Sequence, residues 1–346
     1  MDTQAEKKIT IDQVARLCGV SKTTISRYLN GKFDNISAET REHIRQVIEE
    51  LDYRPNRSAQ RLKASRSMLI GCTIGDVSSP FSGLLLKGIT RVCEAAGYQV
   101  LFADSAEDLK RERNAIQGFL QNQVDGLIVN SPGGNDMFLI ETQERGIPIV
   151  LADRGLMQKG RLDTVASTDR QSAFDCVSFL NNCGYTRIAF FSEGNRQITP
   201  RLLRCQGYIE AVEKMASPGT EPIIYEFVKN DPESCRRCVT DFRNRFPGER
   251  IAILSVNGTT TPHILLAFQA EGLHLGWDYG LCTFDDWTWL RLAPPGITSV
   301  ALSTEKIGEE AARLLLERIS GKRPQDAPAA YIEIPTKLNV RGSTLK

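Results

Sequence analysis

The sequence lacks any long apolar run and any glycine-rich phosphate loop. No apolar stretch approaches the ~18 residues of a membrane span, and the N-terminal MDTQAEKK has no apolar segment of the signal-peptide kind. We therefore expect a cytoplasmic protein without membrane contact. The glycine fingerprint of dinucleotide-binding folds, the P-loop and the nucleophile elbow are also missing, so the sequence gives no support for those enzyme classes.

Net charge is small as well, at +1 for 346 residues, and does not indicate a polyanion-binding protein by itself. Its distribution is uneven: residues 1–66 hold 13 Lys+Arg against 9 Asp+Glu, a net of +4, which leaves 30 against 33, or −3, for the remainder. The cysteine count of 9 is odd and favours reduced thiols over a disulfide framework. Only Cys235 and Cys238 have a metal-ligand spacing, and because no second pair accompanies them we expect no metal and no cofactor.

Residues 10–30 predict two short helices joined by a tight turn. Thr10 and Gln13 have the spacing of a capping box, Gly19 suits the turn, and Ser21 caps the second helix. The predicted apolar face consists of Val14, Ala15, Leu17, Val20, Ile25 and Leu29. The second helix presents, on its other face, Lys22, Thr23, Ser26, Arg27 and Asn30. This pattern favours a helix-turn-helix that enters the major groove of DNA, with an ordinary helical hairpin as the alternative.

A third helix follows Ser37, with apolar residues at helical spacing at Ile44, Val47, Ile48 and Leu51. It would close a three-helix headpiece over residues 1–56. Residues 57–67 are basic and too polar to hold a helix alone. They form either a passive linker or a hinge that folds on DNA, where Leu62 would enter the minor groove next to Lys63.

From residue 68 apolar strands alternate with amphipathic helices, which predicts an α/β core with parallel sheets covered on both faces. The predicted strands are 68–74, 99–103, 126–129, 147–151, 188–191, 223–228, 251–256 and 280–284. The predicted helices include 84–96, 111–122, 172–182, 203–214 and 262–271. About eight such units exceed one small sheet, so we expect two sheets of similar build.

Ligands of parallel α/β folds bind at the carboxyl ends of the strands. In this sequence those ends carry Asp76, Ser79, Asp153, Arg154, Asn257, Asp285 and Asp286. The set is polar but contains no acid–base–nucleophile combination. It therefore indicates a binding site, and we expect no catalytic residues and no enzyme activity.

Along almost its whole length the chain resembles the lactose-repressor (LacI/GalR) family of bacterial transcription regulators. The motifs that carry the resemblance in the N-terminal region are Val14-Ala15-x-x-x-Gly19-Val20-Ser21, Ser26-Arg27-x-Leu29-Asn30, Ser37-x-x-Thr40-Arg41, Leu51-x-Tyr53-x-Pro55-Asn56 and Ala59-x-x-Leu62. Those in the remainder are Ile70-Gly71, Pro80-Phe81, Gly97-Tyr98, Gly126-Leu127-Ile128, Gly184-Tyr185, Arg204-x-x-Gly207-Tyr208 and Phe284-Asp285-Asp286.

The resemblance implies a three-helix helix-turn-helix headpiece (1–56), a hinge (57–67) and a core (68–346) of two periplasmic-binding-protein-like subdomains. We expect the first subdomain at about 68–168 and 299–328, and the second at about 169–298 and 329–346. Family members form homodimers that bind pseudo-palindromic operator DNA, which implies a cytoplasmic, nucleoid-associated protein. Because the sequence ends at Lys346 without a leucine-heptad tail, we expect a dimer and no tetramer.

For DNA, the resemblance implies that Lys22 and Thr23 choose bases, with Arg27 one turn further on. Phosphate contacts are expected from Ser21, Thr24, Ser26 and Asn30. Leu62 matches the hinge leucine that opens a central base step. The predicted DNA-binding set also contains Thr10, Tyr53, Asn56, Ala59 and Lys63.

For the effector, the resemblance implies a cleft site made of Asp76, Ser79, Phe81, Ser82, Asp153, Arg204, Asn257, Asp285 and Trp287. Asp153 and Asp285 have helix capping as an alternative role, and Phe81 has core packing. A buried Arg204 requires an anion or several acceptors, which favours ligand binding. An aromatic on which some members stack their ligand is missing at residues 230–232.

The string Phe284-Asp285-Asp286-Trp287 resembles the branch that senses sugar acids such as gluconate or ketogluconates. Clustered arginines at Arg196, Arg201 and Arg204 are suited to a carboxylate. We therefore expect a repressor of carbohydrate catabolism genes that a sugar acid releases from DNA. The alternatives are a neutral-sugar effector or corepression and, more remotely, a solute-binding protein or a sugar-acid enzyme.

Overall fold

The computed structural model describes residues 9–29, 31–53, 66–194, 197–215, 221–229 and 231–345. It divides into two compact units, Met1–Ser67 and Met68–Lys346. The second unit begins where the sequence predicts the core to begin. No helix in the described ranges is long and apolar enough to span a bilayer.

The first unit contains the three predicted helices, Ile11–Leu17, Lys22–Leu29 and Ala38–Glu50. The capping box at the first helix is present: the Gln13 amide donates to Thr10 Oγ1 at 3.4 Å, and the Thr10 amide donates to Gln13 Oε1 at 2.8 Å. Ser21 and Ser37 accept hydrogen bonds from the Thr24 and Thr40 amides, each at 3.1 Å. These caps satisfy amides that a helix start would otherwise leave unpaired.

The core of this headpiece contains Val14, Ala15, Cys18, Ile25, Ile36, Ile44, Val47 and Tyr53. The prediction that Leu17 belongs to the apolar face was wrong, because Leu17 is 60% exposed and Cys18 occupies the buried position. Tyr53 is also packed in this core. Burial raises the pKa of its phenol, and the nearby Lys22 and Asp12 charges act on that group as well.

The second unit contains two six-stranded sheets. The strands of the first sheet are β1 (Leu69–Ile74), β2 (Gln99–Asp104), β3 (Gly126–Val129), β4 (Ile149–Ala152), β5 (Asp163–Ser167) and β11 (Tyr331–Ile334). Their order is β11-β5-β4-β3-β1-β2, and all neighbouring strands are parallel. Its helices are Pro80–Ala95, Leu109–Gln121, Asp136–Glu144 and Thr304–Ser320.

The strands of the second sheet are β6 (Arg187–Ser192), β7 (Ile223–Glu226), β8 (Ile251–Ser255), β9 (Gly280–Phe284), β10 (Thr298–Ala301) and β12 (Lys337–Asn339). Their order is β12-β10-β9-β8-β6-β7, and of these strands only β12 is antiparallel to its neighbour. Its helices are Asp169–Asn182, Thr199–Met215, Pro232–Arg245, Thr261–Ala270 and Trp289–Leu292, followed by the 3-10 turn Gly342–Thr344. All eight predicted strands are present, with ends that differ by a few residues.

The chain passes between the sheets after β5, after β10 and after β11. The predicted subdomain bounds are wrong at the last two passages. The sequence places 299–328 in the first subdomain, but β10 pairs with β9 in the second sheet. It places 329–346 in the second subdomain, but β11 pairs with β5 in the first sheet. A short strand carries no sequence signal for the sheet that it joins.

The helix Thr304–Ser320 packs very closely on Pro80–Ala95 across one face of the first sheet. At Gly88, a Cβ atom would lie 2.0 Å from the carbonyl oxygen of Glu305, and at Gly308 it would lie 2.3 Å from that of Leu85. Only glycine permits backbones to approach so closely. The apolar residues between this helix pair and the sheet include Ile70, Ile89, Ile307 and Leu315.

Candidate functional site

The candidate DNA-binding face lies on the helix Lys22–Leu29 and its cap. Ser21, Lys22, Thr23 and Arg27 are exposed, and Thr24 and Ser26 are partly exposed. Ile25 is fully buried on the opposite side, so the helix is amphipathic in the way that the sequence predicts. Lys22 forms an exposed ion pair with Asp12 at 2.9 Å. Such a pair contributes about 0–1 kcal/mol, so breaking it to free the lysine has a small cost.

Two further residues predicted to contact DNA lie in the described part of the headpiece. Thr10 caps the first helix, and Tyr53 is buried. Five predicted contacts lie outside the described residues, namely Asn30, Asn56, Ala59, Leu62 and Lys63. The base contacts predicted for the second helix and the role predicted for Leu62 in the hinge remain predictions.

A cavity lies between the two sheets, at the carboxyl ends of their strands. The space between its walls is about 600 Å³, which includes solvent at its open mouth. The first subdomain contributes Asp76, Ser79, Phe81, Ser82, Glu107, Asn130, Asp153 and Arg154. The second contributes Ile198, Pro200, Arg201, Arg204, Lys229, Asn257, Thr259 and Asp285, and Leu302 follows β10.

Arg204 occupies a buried part of this cavity. Its Nε donates to Asp169 Oδ1 at 2.7 Å, and its Nη1 donates to the Val256 carbonyl oxygen at 2.8 Å. The guanidinium also lies 4.1 Å from the centre of the Phe284 ring. The anion that a buried arginine requires is therefore supplied by the protein itself, through Asp169, which the sequence reasoning missed.

Asp153 and Asp285 lie near Arg204, and each follows a strand of a different sheet. Both have left-handed backbones, with φ of 68° and 70°. Asp285 Oδ2 accepts a hydrogen bond from the Gly258 amide at 2.9 Å, whereas Asp153 Oδ1 has no hydrogen-bond partner among the described residues. Burial, followed by repulsion from Asp169, raises the pKa of Asp153 to about 7. Carboxyl groups in this position are suited to hydrogen-bonding the hydroxyls of a ligand.

A second set of charges surrounds Glu107. Its Oε1 accepts hydrogen bonds from Arg154 Nη2 at 3.2 Å and from Arg201 Nη2 at 3.1 Å. Lys229 lies 3.9 Å from Glu107 Oε2 and 3.4 Å from Asp76 Oδ2. Arg201 and Lys229 belong to the second subdomain and Glu107 and Asp76 to the first, so these ion pairs connect the two.

Eight of the nine predicted effector residues line the cavity, and the ninth, Trp287, does not. The Trp287 ring lies against Gly258, where an added Cβ atom would be 2.8 Å from it. Ser82 donates to the Asp76 carbonyl oxygen at 2.6 Å, and Phe81 also packs against the core of the first sheet. Asn257 Oδ1 accepts from the Thr260 amide at 2.8 Å, which gives it a capping role beside its place in the cavity wall.

The cavity residues that the effector prediction omits include Glu107, Asn130, Arg154, Arg201, Lys229 and Thr259. Arg154 and Arg201 are among the polar residues that the sequence singles out, and Arg196 lies outside the described residues. Asn130 directly follows β3, so the strand-end rule identifies it. Glu107 and Lys229 also lie in loops that follow strands, β2 and β7. The strand-end rule does not tell which residues of such loops meet across the two sheets.

The described residues contain no group of three or more His, Cys, Asp and Glu side chains that could hold a metal ion. Cys235 is buried in the core of the second sheet, and burial raises the pKa of its thiol to about 12. Cys235 and Cys238 thus lie on one helix within a packed core.

Two protein families match separate regions of the chain. Residues 10–56 match the family described as bacterial regulatory proteins, lacI family. Residues 177–344 match the periplasmic binding protein-like domain. The first match covers the helix-turn-helix, and the second covers much of the core.

Known proteins of similar sequence align over nearly the full length. The chain is 35% identical to the HTH-type transcriptional regulator KdgR of Bacillus subtilis, over 96% of this chain and 97% of that protein. It is 32% identical to the HTH-type transcriptional regulator PtxS of Pseudomonas plecoglossicida, over 99% and 97%. The structure of the lac repressor dimer bound to operator and the anti-inducer ONPF superposes with a TM-score of 0.84 at 23% identity, covering 98% of this chain and 100% of that one. The chain therefore belongs to the LacI family of bacterial transcriptional regulators, with a helix-turn-helix domain for DNA and a two-subdomain core.

Proposed function

We propose that the protein is a homodimeric repressor of carbohydrate catabolism genes that a sugar acid releases from a pseudo-palindromic operator. We infer a sugar acid as the effector because the cavity contains two kinds of polar group. Asp153 and Asp285 offer acceptors for hydroxyls at one part, and Arg154 and Arg201 offer guanidinium donors for a carboxylate at another. A polyhydroxylated acid uses both, whereas a neutral sugar uses only the first.

The donor capacity of Arg154 supports an anionic ligand. Its Nη1 is buried and has no hydrogen-bond partner among the described residues. Guanidinium groups favour two-point pairs with carboxylates, and an unpaired buried donor is costly. A ligand carboxylate would remove that cost, which gives the acid an affinity advantage over the corresponding neutral sugar.

Release from DNA follows if the acid binds one relative orientation of the subdomains better than the other. An effector shifts such an equilibrium only by its differential affinity for the two states. The ion pairs between Arg201 and Glu107, and between Lys229 and Asp76, cross the cleft, so a ligand that enters it has direct access to contacts that depend on that orientation.

The decisive experiment measures operator affinity of the full-length protein against a panel of effectors. A binding site is first selected from a random duplex pool, and its affinity is then titrated with D-gluconate, 2-keto-D-gluconate and D-glucose. We expect one of the acids to weaken operator binding at least tenfold and D-glucose to leave it unchanged. A response to D-glucose alone would favour the neutral-sugar alternative. Tighter operator binding with an acid would indicate corepression, and no response to either class would overturn the proposal.

Dimerisation is tested separately by sedimentation of the protein with and without a selected operator. We expect a dimer that binds one duplex with two headpieces. Binding of a single half-site with unchanged affinity would contradict it, because one headpiece contacts only half of a pseudo-palindromic site.

A further inference from the structure

The carboxylate of Glu107 lies among three cationic side chains of the cleft, in the part of the cavity that is suited to an effector carboxylate. A single oxygen, Oε1, accepts from both Arg154 and Arg201, and the other lies 3.9 Å from Lys229. Its side chain is only 16% exposed. The carboxylate therefore lies inside the cavity wall and is not a surface charge.

The backbone around Glu107 is fixed. Its amide donates to the Gly75 carbonyl oxygen at the end of β1 at 2.8 Å, and the preceding Ser105 amide donates to that of Ile74 at 2.9 Å. Ala106 and Glu107 both have left-handed backbones, with φ of 48° and 56°. Such a conformation persists in non-glycine residues only where the surrounding structure maintains it. The fold thus fixes the base of this side chain and leaves its carboxylate to reach the arginines.

The arginines are incompletely paired by Glu107. Arg154 Nη1 has no partner among the described residues. Within the same part of the chain, the further contacts of Arg201 are a 3.3 Å hydrogen bond to the Gly194 carbonyl oxygen and a 3.5 Å contact with Glu193. One shared oxygen is a poorer partner for two guanidinium groups than a carboxylate with both oxygens engaged. An entering carboxylate therefore gains more from these arginines than Glu107 does.

We propose that Glu107 is an internal stand-in for the effector carboxylate, which takes its place on Arg154 and Arg201 when it binds. Glu107 then sets the effector threshold, because every anionic ligand must displace it. This inference rests on the proposed sugar-acid function and deepens it. Glu107 is then a specificity-determining residue that opposes effector binding. Its removal should strengthen binding, whereas removal of a residue that contacts the ligand weakens binding.

The test compares Glu107→Gln with wild-type protein by titration calorimetry of the full-length chain with D-gluconate and 2-keto-D-gluconate. Removing the competing charge should tighten binding of the responsive acid about tenfold, which corresponds to ~1.4 kcal/mol. Glu107→Asp keeps the charge but is one methylene shorter, and should fall between the two. Glu144→Gln, at an exposed ion pair with Arg161 in the same subdomain, is the matched control and should equal wild type. Equal or weaker acid binding by Glu107→Gln would overturn the inference.

A second measurement separates this inference from the proposed function. Sulfate is an anion that needs no hydroxyl recognition, and its effect on the melting temperature is measured for the same proteins. If wild type binds no sugar acid, the proposed function fails. The inference still predicts that sulfate raises the melting temperature of Glu107→Gln more than that of Glu144→Gln or wild type. Equal sulfate effects in all of them would refute it.

Discussion

The Arg204 guanidinium donates from Nε to Asp169 Oδ1 at 2.7 Å, and both side chains are almost completely buried. Removing one partner leaves the other charge buried and unpaired, which costs about 3–5 kcal/mol. We expect Arg204→Met to lower the free energy of unfolding of the core by that amount in urea denaturation. Adding Asp169→Asn should recover part of the loss. A cost below about 1 kcal/mol for the single variant would contradict the pair's importance.

Loss of the effector response in an Arg204 variant would have two possible causes. Because Arg204 holds Asp169 and the Val256 carbonyl, an Arg204 variant that no longer responds has lost a structural contact as well as a cavity residue. The double variant with Asp169→Asn distinguishes the two. Restored stability without restored response indicates that Arg204 contacts the ligand.

Asp153 should make the core less stable as the pH rises. Burial and the nearby Asp169 raise its pKa to about 7, from 3.8. Between about pH 4 and pH 7 the folded protein therefore holds a proton that the unfolded chain releases, and the stability contribution falls across that interval. Asp153→Asn removes the titration, so its advantage over wild type in urea denaturation should grow from pH 4 to pH 7. A constant difference would show that Asp153 is already ionised at the lower pH. The exposed Asp175→Asn is the control.

Lys22 should contribute to the choice of sequence. It is exposed on the predicted recognition helix, and its only described ion pair is a surface contact with Asp12. We expect Lys22→Ala to reduce the preference for the selected operator over random DNA by about 1–3 kcal/mol. Lys32→Ala, an exposed lysine beyond that helix, controls for loss of charge. A uniform loss of affinity for all sequences would indicate that Lys22 contacts phosphate.

Gly75 permits Arg154 to lie across the end of β1. A Cβ atom at this position would be 2.6 Å from Arg154 Nη1, and the guanidinium is the movable end of a long side chain. Gly75→Ala should therefore displace Arg154 at a stability cost below about 1 kcal/mol while weakening binding of the responsive sugar acid about tenfold. Calorimetry measures both the affinity and the fold. Unchanged acid affinity would remove Arg154 from the carboxylate site.

Two glycines on the helix Pro80–Ala95 provide a matched comparison of backbone packing. Nothing lies within 4 Å of a Cβ atom at Gly83, whereas at Gly88 it would be 2.0 Å from the Glu305 carbonyl oxygen. Gly83→Ala should stabilise the core by about 0.5–1 kcal/mol, as alanine does in helices. Gly88→Ala should destabilise it by about 2 kcal/mol or more, because backbone must move. Similar melting temperatures for the two variants would contradict this helix packing.

Much of the fold follows from local patterns. The caps at Thr10, Ser21 and Ser37, and the strands with continuous apolar runs, are where the sequence predicts them. Strand β5 escapes prediction because its sequence, Asp163–Ser167, is largely polar although fully buried. Arg318 compensates Asp163 with a hydrogen bond of 2.7 Å from a helix 155 residues later. No local pattern contains such a partner.

The site likewise has features that local sequence predicts and features that depend on residues far apart in the chain. Strand-end aspartates are predictable because the end of a strand is a local property of its sequence. Arg204 lies on the helix Thr199–Met215, and its place in the cleft was predicted from the family resemblance. The internal partner of Arg204, the role of Glu107 and the position of Trp287 against Gly258 depend on which loops meet across two sheets. The sequence therefore predicts which residues line the cavity better than it predicts the ion-pair partner of each charged residue in it.

The order of the strands has a consequence for synthesis of the chain on the ribosome. The first sheet begins at Leu69, but its edge strand β11 and the covering helix Thr304–Ser320 come from near the C-terminus. A nascent chain that ends before Thr304 leaves Ile70 and Ile89 without the helix that packs on them. Since exposed apolar surface makes incomplete chains prone to aggregation, we expect the first sheet to become stable only after the helix Thr304–Ser320 and β11 have been synthesised. The earliest part of the core to be made is thus among the last to become stable.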